Sequence, residues 1–187
     1  MRRSAAKRMV LGAVLAVLGL LGWFVIEWYP APEVDDGLAA VVFPLIDEQL
    51  ERGPWPGLLT TTRLDLKPRW FCAEQVIETE RDGAVLRVGF VAECAEYARL
   101  QDALLEGSGD SSPKLAVLAG GPDRWEVIRV ESPPPGHAGT EWERAHFSPA
   151  ATERLDRHEG SPALSEDVTA QARLAFGLPP DSPVHLR

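Results

Sequence analysis

From Met9 to Ile26 the chain runs eighteen residues without a charge, and Glu27 is its first acid. A helix continued to Trp28 at about 1.5 Å per residue is about 30 Å long, the thickness of a bilayer's hydrocarbon core, so residues 9–28 are predicted to span a membrane. Beyond them the pattern changes. Leu38, Val41, Val42, Leu45, Ile46 and Leu50 recur at helical spacing, after the N-cap candidates Asp35 and Asp36 and before Gly53, and predict one amphipathic helix over Val34 to Glu51. Pro44 deletes a bond to Ala40, but the periodicity persists through it, so the helix is expected to continue with a bend.

From Leu58 onward, short β-branched and aromatic runs alternate with turn residues. They predict strands from Leu58 to Lys67, Trp70 to Glu80, Ala84 to Cys94, Lys114 to Ala119 and Arg124 to Glu131. Asp82-Gly83 is the strongest hairpin turn; as a two-residue loop it pairs Glu78 with Arg87 on one face and Ile77 with Val88 on the other. Gly120-Gly-Pro-Asp supplies a second turn, and the sheet is expected to be antiparallel throughout. Residues 95–106 have helix-favouring composition but lie between strands, and they are read as extended. After Ser-Pro-Pro-Pro-Gly at 132–136, the chain reads as loops with two short helices. Ser148 as N-cap with Pro149 opens one that runs to His158, and Ser165-Glu-Asp opens another that ends before Gly177. The proline-rich tail from Leu178 is expected to fray.

The fold class is therefore α+β: a transmembrane helix, then one amphipathic helix packed on an antiparallel sheet of four to six strands, then short C-terminal helices. The segments are a basic stretch 1–8, the anchor 9–28, a stiff proline spacer 29–33, an outer domain 34–131 and a Pro-rich extension 132–187.

Charge fixes the orientation. Arg2, Arg3, Lys7 and Arg8 precede the apolar run, and by the positive-inside rule they leave the C-terminal part outside the cytoplasm. Trp23, Phe24, Trp28 and Tyr29 then fall at the outer membrane interface. Bulky rings and prolines stand where a cleavable signal peptide has small residues, so the segment is read as an uncleaved anchor in a bilayer. Gly12, Ala16 and Gly19 form a small-residue stripe along which a second anchor helix can pack, a hint of a weak homodimer, although the general abundance of Gly and Ala in spanning helices explains the stripe better. Residues 29–187 carry 15 basic and 27 acidic groups, a balance that argues against nucleic acid as a partner.

The two cysteines, Cys72 and Cys94, both lie in the part expected to face an oxidising exterior, and a disulfide is the expected state. Closing a loop of about 20 residues, it would contribute about 3 kcal/mol. A strict two-residue turn at Asp82-Gly83 places Cys72 opposite Glu93, so the bond requires a one-residue bulge or a three-residue loop.

Chemistry is sparsely signalled. No Gly-x-Ser-x-Gly, phosphate-binding loop, dinucleotide fingerprint or His-Glu-x-x-His occurs, and no cofactor, metal or catalytic residue is assigned. Gly107-Ser-Gly-Asp-Ser-Ser reads as a surface turn. Glu141, Glu143, His146, Asp156, His158 and Glu159 form the nearest group of metal-ligand types, and solvated charge explains them better. Glu74, Glu78 and Glu80 alternate onto one strand face, as on a sheet with one wet side. Trp55, Trp70, Trp125 and Trp142 are read mainly as core, with a ligand pocket or partner surface as the alternative.

The Arg, Ala, Gly and Pro usage together with the anchor resembles single-pass extracytoplasmic proteins of high-GC Gram-positive bacteria. The helix from Val34 to Glu51 followed by the strands from Leu58 to Glu131 is similar to the cystatin-like and NTF2-like superfold. Gln75-Val-Ile-Glu-Thr does not match the cystatin inhibitory Gln-x-Val-x-Gly, so protease inhibition is not carried over. The functional expectation is a membrane-anchored binding or accessory module of the cell envelope, not an enzyme, engaging a protein or small ligand. The alternative is a small-molecule enzyme or ligand binder built on an NTF2-like pocket, using carboxylates or a histidine such as His137 or His146.

Overall fold

The structure is a computed structural model that describes residues 34–52, 56–121, 124–157 and 162–186. The predicted anchor, its aromatic flank, the small-residue stripe and the spacer lie outside the described residues. Among the described residues, no helix is long and apolar enough to cross a membrane.

The first helix, Asp36–Glu51 (α1), begins as its sequence dictates: the Asp35 carboxylate accepts the Leu38 N–H at 2.9 Å. Ala39, Val42, Ile46 and Leu50 are its buried stripe. The helix passes through Pro44 without interruption, because Pro44 and Ala40 both lie on the exposed side, where water can serve the orphaned carbonyl.

The strand expected from Leu58 to Lys67 is not formed. Leu58–Thr62 is a short helix (α2), followed by a 3₁₀ turn at Leu64–Leu66. The hydroxyls of Thr61 and Thr62 bond back to the carbonyls of Gly57 and Leu58, and the Glu96 carboxylate accepts the N–H groups of Leu59 and Thr60 at 2.8 and 2.5 Å. A tertiary carboxylate at the helix start overrides the local strand preference of three threonines.

Four long strands follow as a meander: Arg69–Asp82 (β1), Val85–Leu100 (β2), Ala103–Gly121 (β3) and Arg124–Glu131 (β4). Residues 95–106 are extended, as expected, and Gln101 takes a positive φ in the turn between β2 and β3. The segment 107–112, expected as a surface turn, lies inside β3.

Three helices rather than two occupy the C-terminal part among the described residues: His137–His146 (α3), Pro149–Asp156 (α4) and Pro162–Ala175 (α5). Ser148 caps α4 through Ala151, with Pro149 at its first position, whereas α5 starts before the expected Ser165. The tail does not fray. Arg173 donates twice to the Ser182 carbonyl, at 3.1 and 2.8 Å, and Leu178 and Ser182 are buried. Val184–Leu186 (β5) then pairs with Leu104–Glu106 in parallel, so the sheet is mixed rather than antiparallel throughout.

Helices cover both faces of this sheet. On one, α1 packs Val42, Ile46 and Leu50 against Cys72, Leu86, Val88, Phe90, Leu118 and Trp125. On the other, α3 to α5 contribute to a core with Phe71, Ala73, Ile77, Val91 and Tyr97. The central strand β2 is thus buried on both sides, which accounts for its nearly continuous apolar run. Gly89 makes room for this layering: a Cβ there would stand 2.6 Å from a Phe147 ring carbon.

The β1–β2 hairpin corrects the expected register. Asp82 pairs with Val85, so the loop is Gly83-Ala84, and a positive φ of 59° at Gly83 alone fits a type II′ turn with glycine first. Glu78 consequently faces Gly89 and Thr79 faces Val88. The register then shifts between Val76 and Glu78, a bulge at Ile77 that brings Cys72 opposite Cys94. The disulfide joins them, with Cα atoms 4.1 Å apart, and it needs the shifted loop as well as the bulge, because the same bulge behind a loop at Asp82-Gly83 would set Cys72 opposite Ala92. The bulged Ile77 carbonyl accepts a bond from Arg154 of α4 at 2.9 Å.

Candidate functional site

A cleft of about 620 Å³ opens at the N-terminal end of α1. Asp35, Gly37, Leu38 and Val41 form one wall; Thr79, Glu80 and Arg81 from the end of β1, with Leu86 and Trp125, form the other. Asp35 anchors the junction, since its N–H donates to the Thr79 hydroxyl at 3.2 Å while its carboxylate caps the helix. Arg81 extends over Trp125, its guanidinium carbon 5.4 Å from the ring centroid, and its Nε donates to the Gly83 carbonyl at 3.3 Å. Glu80 stands 3.6 Å from Arg87. Trp125 is 6% exposed, and its indole N–H has no acceptor among the described residues.

The strongest electrostatic perturbation lies elsewhere, in the seam where α1 crosses β1. Asp47 and Glu51, one turn apart on α1, meet Glu74 of β1. Burial, reinforced by the charge of Asp47, by its hydrogen bond and by Glu51, pushes the Glu74 carboxyl up to about 8. Burial also raises Asp47, against the lowering effect of its hydrogen bond to Glu74. Glu51 is raised by burial and by Asp47, with Arg69 opposing. The pair Asp47–Glu74 therefore shares a proton near neutral pH. None of the three residues lines the cleft.

Two further charged groups are fully buried and serve the fold. Glu96 accepts from the Leu59, Thr60 and Ser108 N–H groups, opposite a bulge in β3. Gly57 and Gly107 lie so close to its carboxyl group that neither has space for a side chain. Lys114 ion-pairs with Asp110 at 2.6 Å and donates to the Ser112 and Ser132 hydroxyls at 3.0 and 3.2 Å, tying β3 to the residue after β4.

The residues singled out in sequence are dispersed. Glu74, Glu78 and Glu80 do not share a face: the bulge at Ile77 turns Glu78 toward α4, where it accepts from the N–H and hydroxyl of Ser148 at 3.1 and 2.7 Å. His146 stacks on Trp142 and bonds its carbonyl through Nδ1 at 2.7 Å, with Nε2 3.7 Å from Glu131. Glu143 and Asp156 line a separate cavity of only about 50 Å³. Glu141 and His137 are exposed. His158, Glu159 and Trp55 lie outside the described residues, and among the described residues no group of three or more His, Cys, Asp or Glu is placed to hold a metal ion. Trp70 packs against the α1 core and Trp142 against the opposite one, as core indoles do.

Sequence reasoning missed Arg81 and Glu96. Arg81 belongs to no motif, and the only signal near it is the adjoining Asp82-Gly83 turn. Glu96 carries a readable signal, an acid between Cys94-Ala95 and Tyr97-Ala98 in an otherwise apolar strand, which calls for a buried partner. Comparison with known proteins adds no relative: no family model, curated protein or solved structure matches the chain.

Proposed function

We propose that the chain is a membrane-anchored extracytoplasmic binding module of the cell envelope, with residues 9–28 as its anchor and the cleft beside α1 as its ligand site. The cleft carries this reading. Its volume falls in the range of small-molecule sites, and an aromatic floor and aliphatic walls meet a few polar groups there. The disulfide between Cys72 and Cys94 supports an oxidising compartment. The helix laid on an antiparallel meander between Val34 and Glu131 supports the cystatin-like and NTF2-like resemblance, to which the three C-terminal helices are an addition on the opposite face.

A second reading, acid–base catalysis, draws on the shared proton of Asp47 and Glu74. Binding is preferred because those carboxyls stand in the helix–sheet seam and not in the cleft.

Protease treatment of intact cells, combined with intact-mass analysis of the membrane fraction, tests location. The expected result is full-length protein lacking two thiol protons, whose outer domain is digested from outside. A cytosolic protein with two free thiols would end the anchored reading. Turnover abolished by Glu74→Gln, with ligand affinity intact, would favour the enzyme.

A further inference from the structure

The cleft's charges are not alike, and their pairing indicates what it accepts. Asp35 spends a carboxylate oxygen on the Leu38 N–H, and Glu80 faces Arg87. Arg81 is different: among the described residues it has a carbonyl and an aromatic face but no carboxylate partner. The buried cation Lys114, by contrast, already has Asp110. Next to Arg81, α1 presents its N-terminal end, whose dipole favours negative charge.

An independent observation lies beneath Arg81. Trp125 is more than nine-tenths buried, and its indole N–H lacks an acceptor. A buried donor left unpaired costs about 1–3 kcal/mol, and native structures rarely leave one without a use. Arg81 is exposed and covers the ring through a long carbonyl bond and a cation–π contact, both of which a competing anion can replace. Around these donors Leu38, Val41 and Leu86 supply an apolar wall, and Val41 is exposed although it belongs to the helix's hydrophobic periodicity.

Building on the ligand-binding reading above, we propose that the cleft binds a small organic carboxylate with an apolar body. Arg81 is its counter-ion and swings off Trp125 as the ligand enters. The indole N–H then donates to the ligand, and Leu38, Val41 and Leu86 hold the apolar part.

Full-length protein in a mild non-ionic detergent, labelled with ¹⁵N at the tryptophan indoles, provides the test. Trp125→Phe identifies the Trp125 resonance. The probes are 4-phenylbutyrate, the matched alcohol 4-phenylbutanol and the matched cation 4-phenylbutylammonium. The acid is expected to shift the Trp125 indole resonance saturably and to bind at least roughly tenfold more tightly than the alcohol, as a charge-assisted bond implies. Arg81→Gln, a change at an exposed side chain, is expected to abolish that preference of acid over alcohol. Equal affinity for acid and alcohol, preference for the ammonium, or a preference that survives Arg81→Gln would each overturn the carboxylate assignment and leave a ligand-binding cleft standing. No saturable shift with any of the three probes would overturn both.

Discussion

Replacing Glu74 by glutamine should stabilise the protein, and by an amount that depends on pH. Glu74 ionises at 4.5 in the ordinary state and near 8 in the folded chain, where burial and Asp47 oppose its charge. Because the folded value lies above the unfolded one, the folded chain holds the extra proton between them. The group's stabilising contribution is therefore complete below about pH 4.5 and is lost as pH rises through about 8. At about 1.4 kcal/mol per pH unit, the wild-type chain forgoes about 3 kcal/mol at pH 7, about 4 kcal/mol at pH 8 and about 5 kcal/mol at pH 9 and above. Glutamine keeps the shape and can still donate to Asp47, but it never ionises, so Glu74→Gln should match the wild type at pH 4 and exceed it by about those amounts at pH 7 and 8. Urea unfolding of both chains from pH 4 to 9 measures the difference, and subtraction removes the titration of all other carboxylates that the two chains share. A difference that is flat with pH, or that favours wild type above pH 7, would mean that Glu74 is ionised in the folded protein and that the seam is solvated.

Other expectations follow from single contacts. Gly89→Ala should lower stability by about 1–3 kcal/mol through overpacking against the Phe147 ring, and adding Phe147→Leu should recover part of the loss in thermal unfolding. Glu96→Ala leaves the Leu59, Thr60 and Ser108 donors without their acceptor; amide exchange should show protection collapsing at Leu59 and Thr60 before the β2–β3 ladder opens. The Cys72→Ala, Cys94→Ala double variant should lose about 3 kcal/mol in urea unfolding, in line with the loop it opens, and an unchanged midpoint would show that the bond is absent in the working protein.

Features encoded locally were legible in the sequence. The stripe Val42, Ile46 and Leu50 with its Asp35 cap, the Ser148-Pro149 helix start, the hairpin near Gly83 and the cysteine pairing all depend on spacings within one or two elements. What was misread depends on distant partners. Leu58–Thr62 is helical because Glu96, far along the chain, receives its first N–H groups. The tail folds back because Arg173 holds the Ser182 carbonyl, and β3 continues through residues 107–112, bulged at Gly107 and Ser108, because β2 pairs with it on either side of the bulge. The cleft is the extreme case. Its walls come from residues near 35–41, 79–86 and 125, and nothing in any one of these segments announces the other two.

The bulge at Ile77 connects several of these observations. In an unbulged β1, side chains alternate strictly, so Glu78 and Glu80 would follow Cys72, Glu74 and Val76 onto the α1 face, while Thr79 and Arg81 would point away from it. One inserted residue reverses that assignment. Glu78 turns to cap α4 through Ser148, and the unpaired Ile77 carbonyl receives Arg154 from the same helix. Thr79 then reaches Asp35, and Arg81 reaches Trp125 on the α1 side. The same insertion brings Cys72 into register with Cys94, given a loop at Gly83-Ala84. The disulfide and the cleft both depend on this irregularity, which explains why alternation along β1, read without it, put Glu78 on the wrong face and left the arginine out of view.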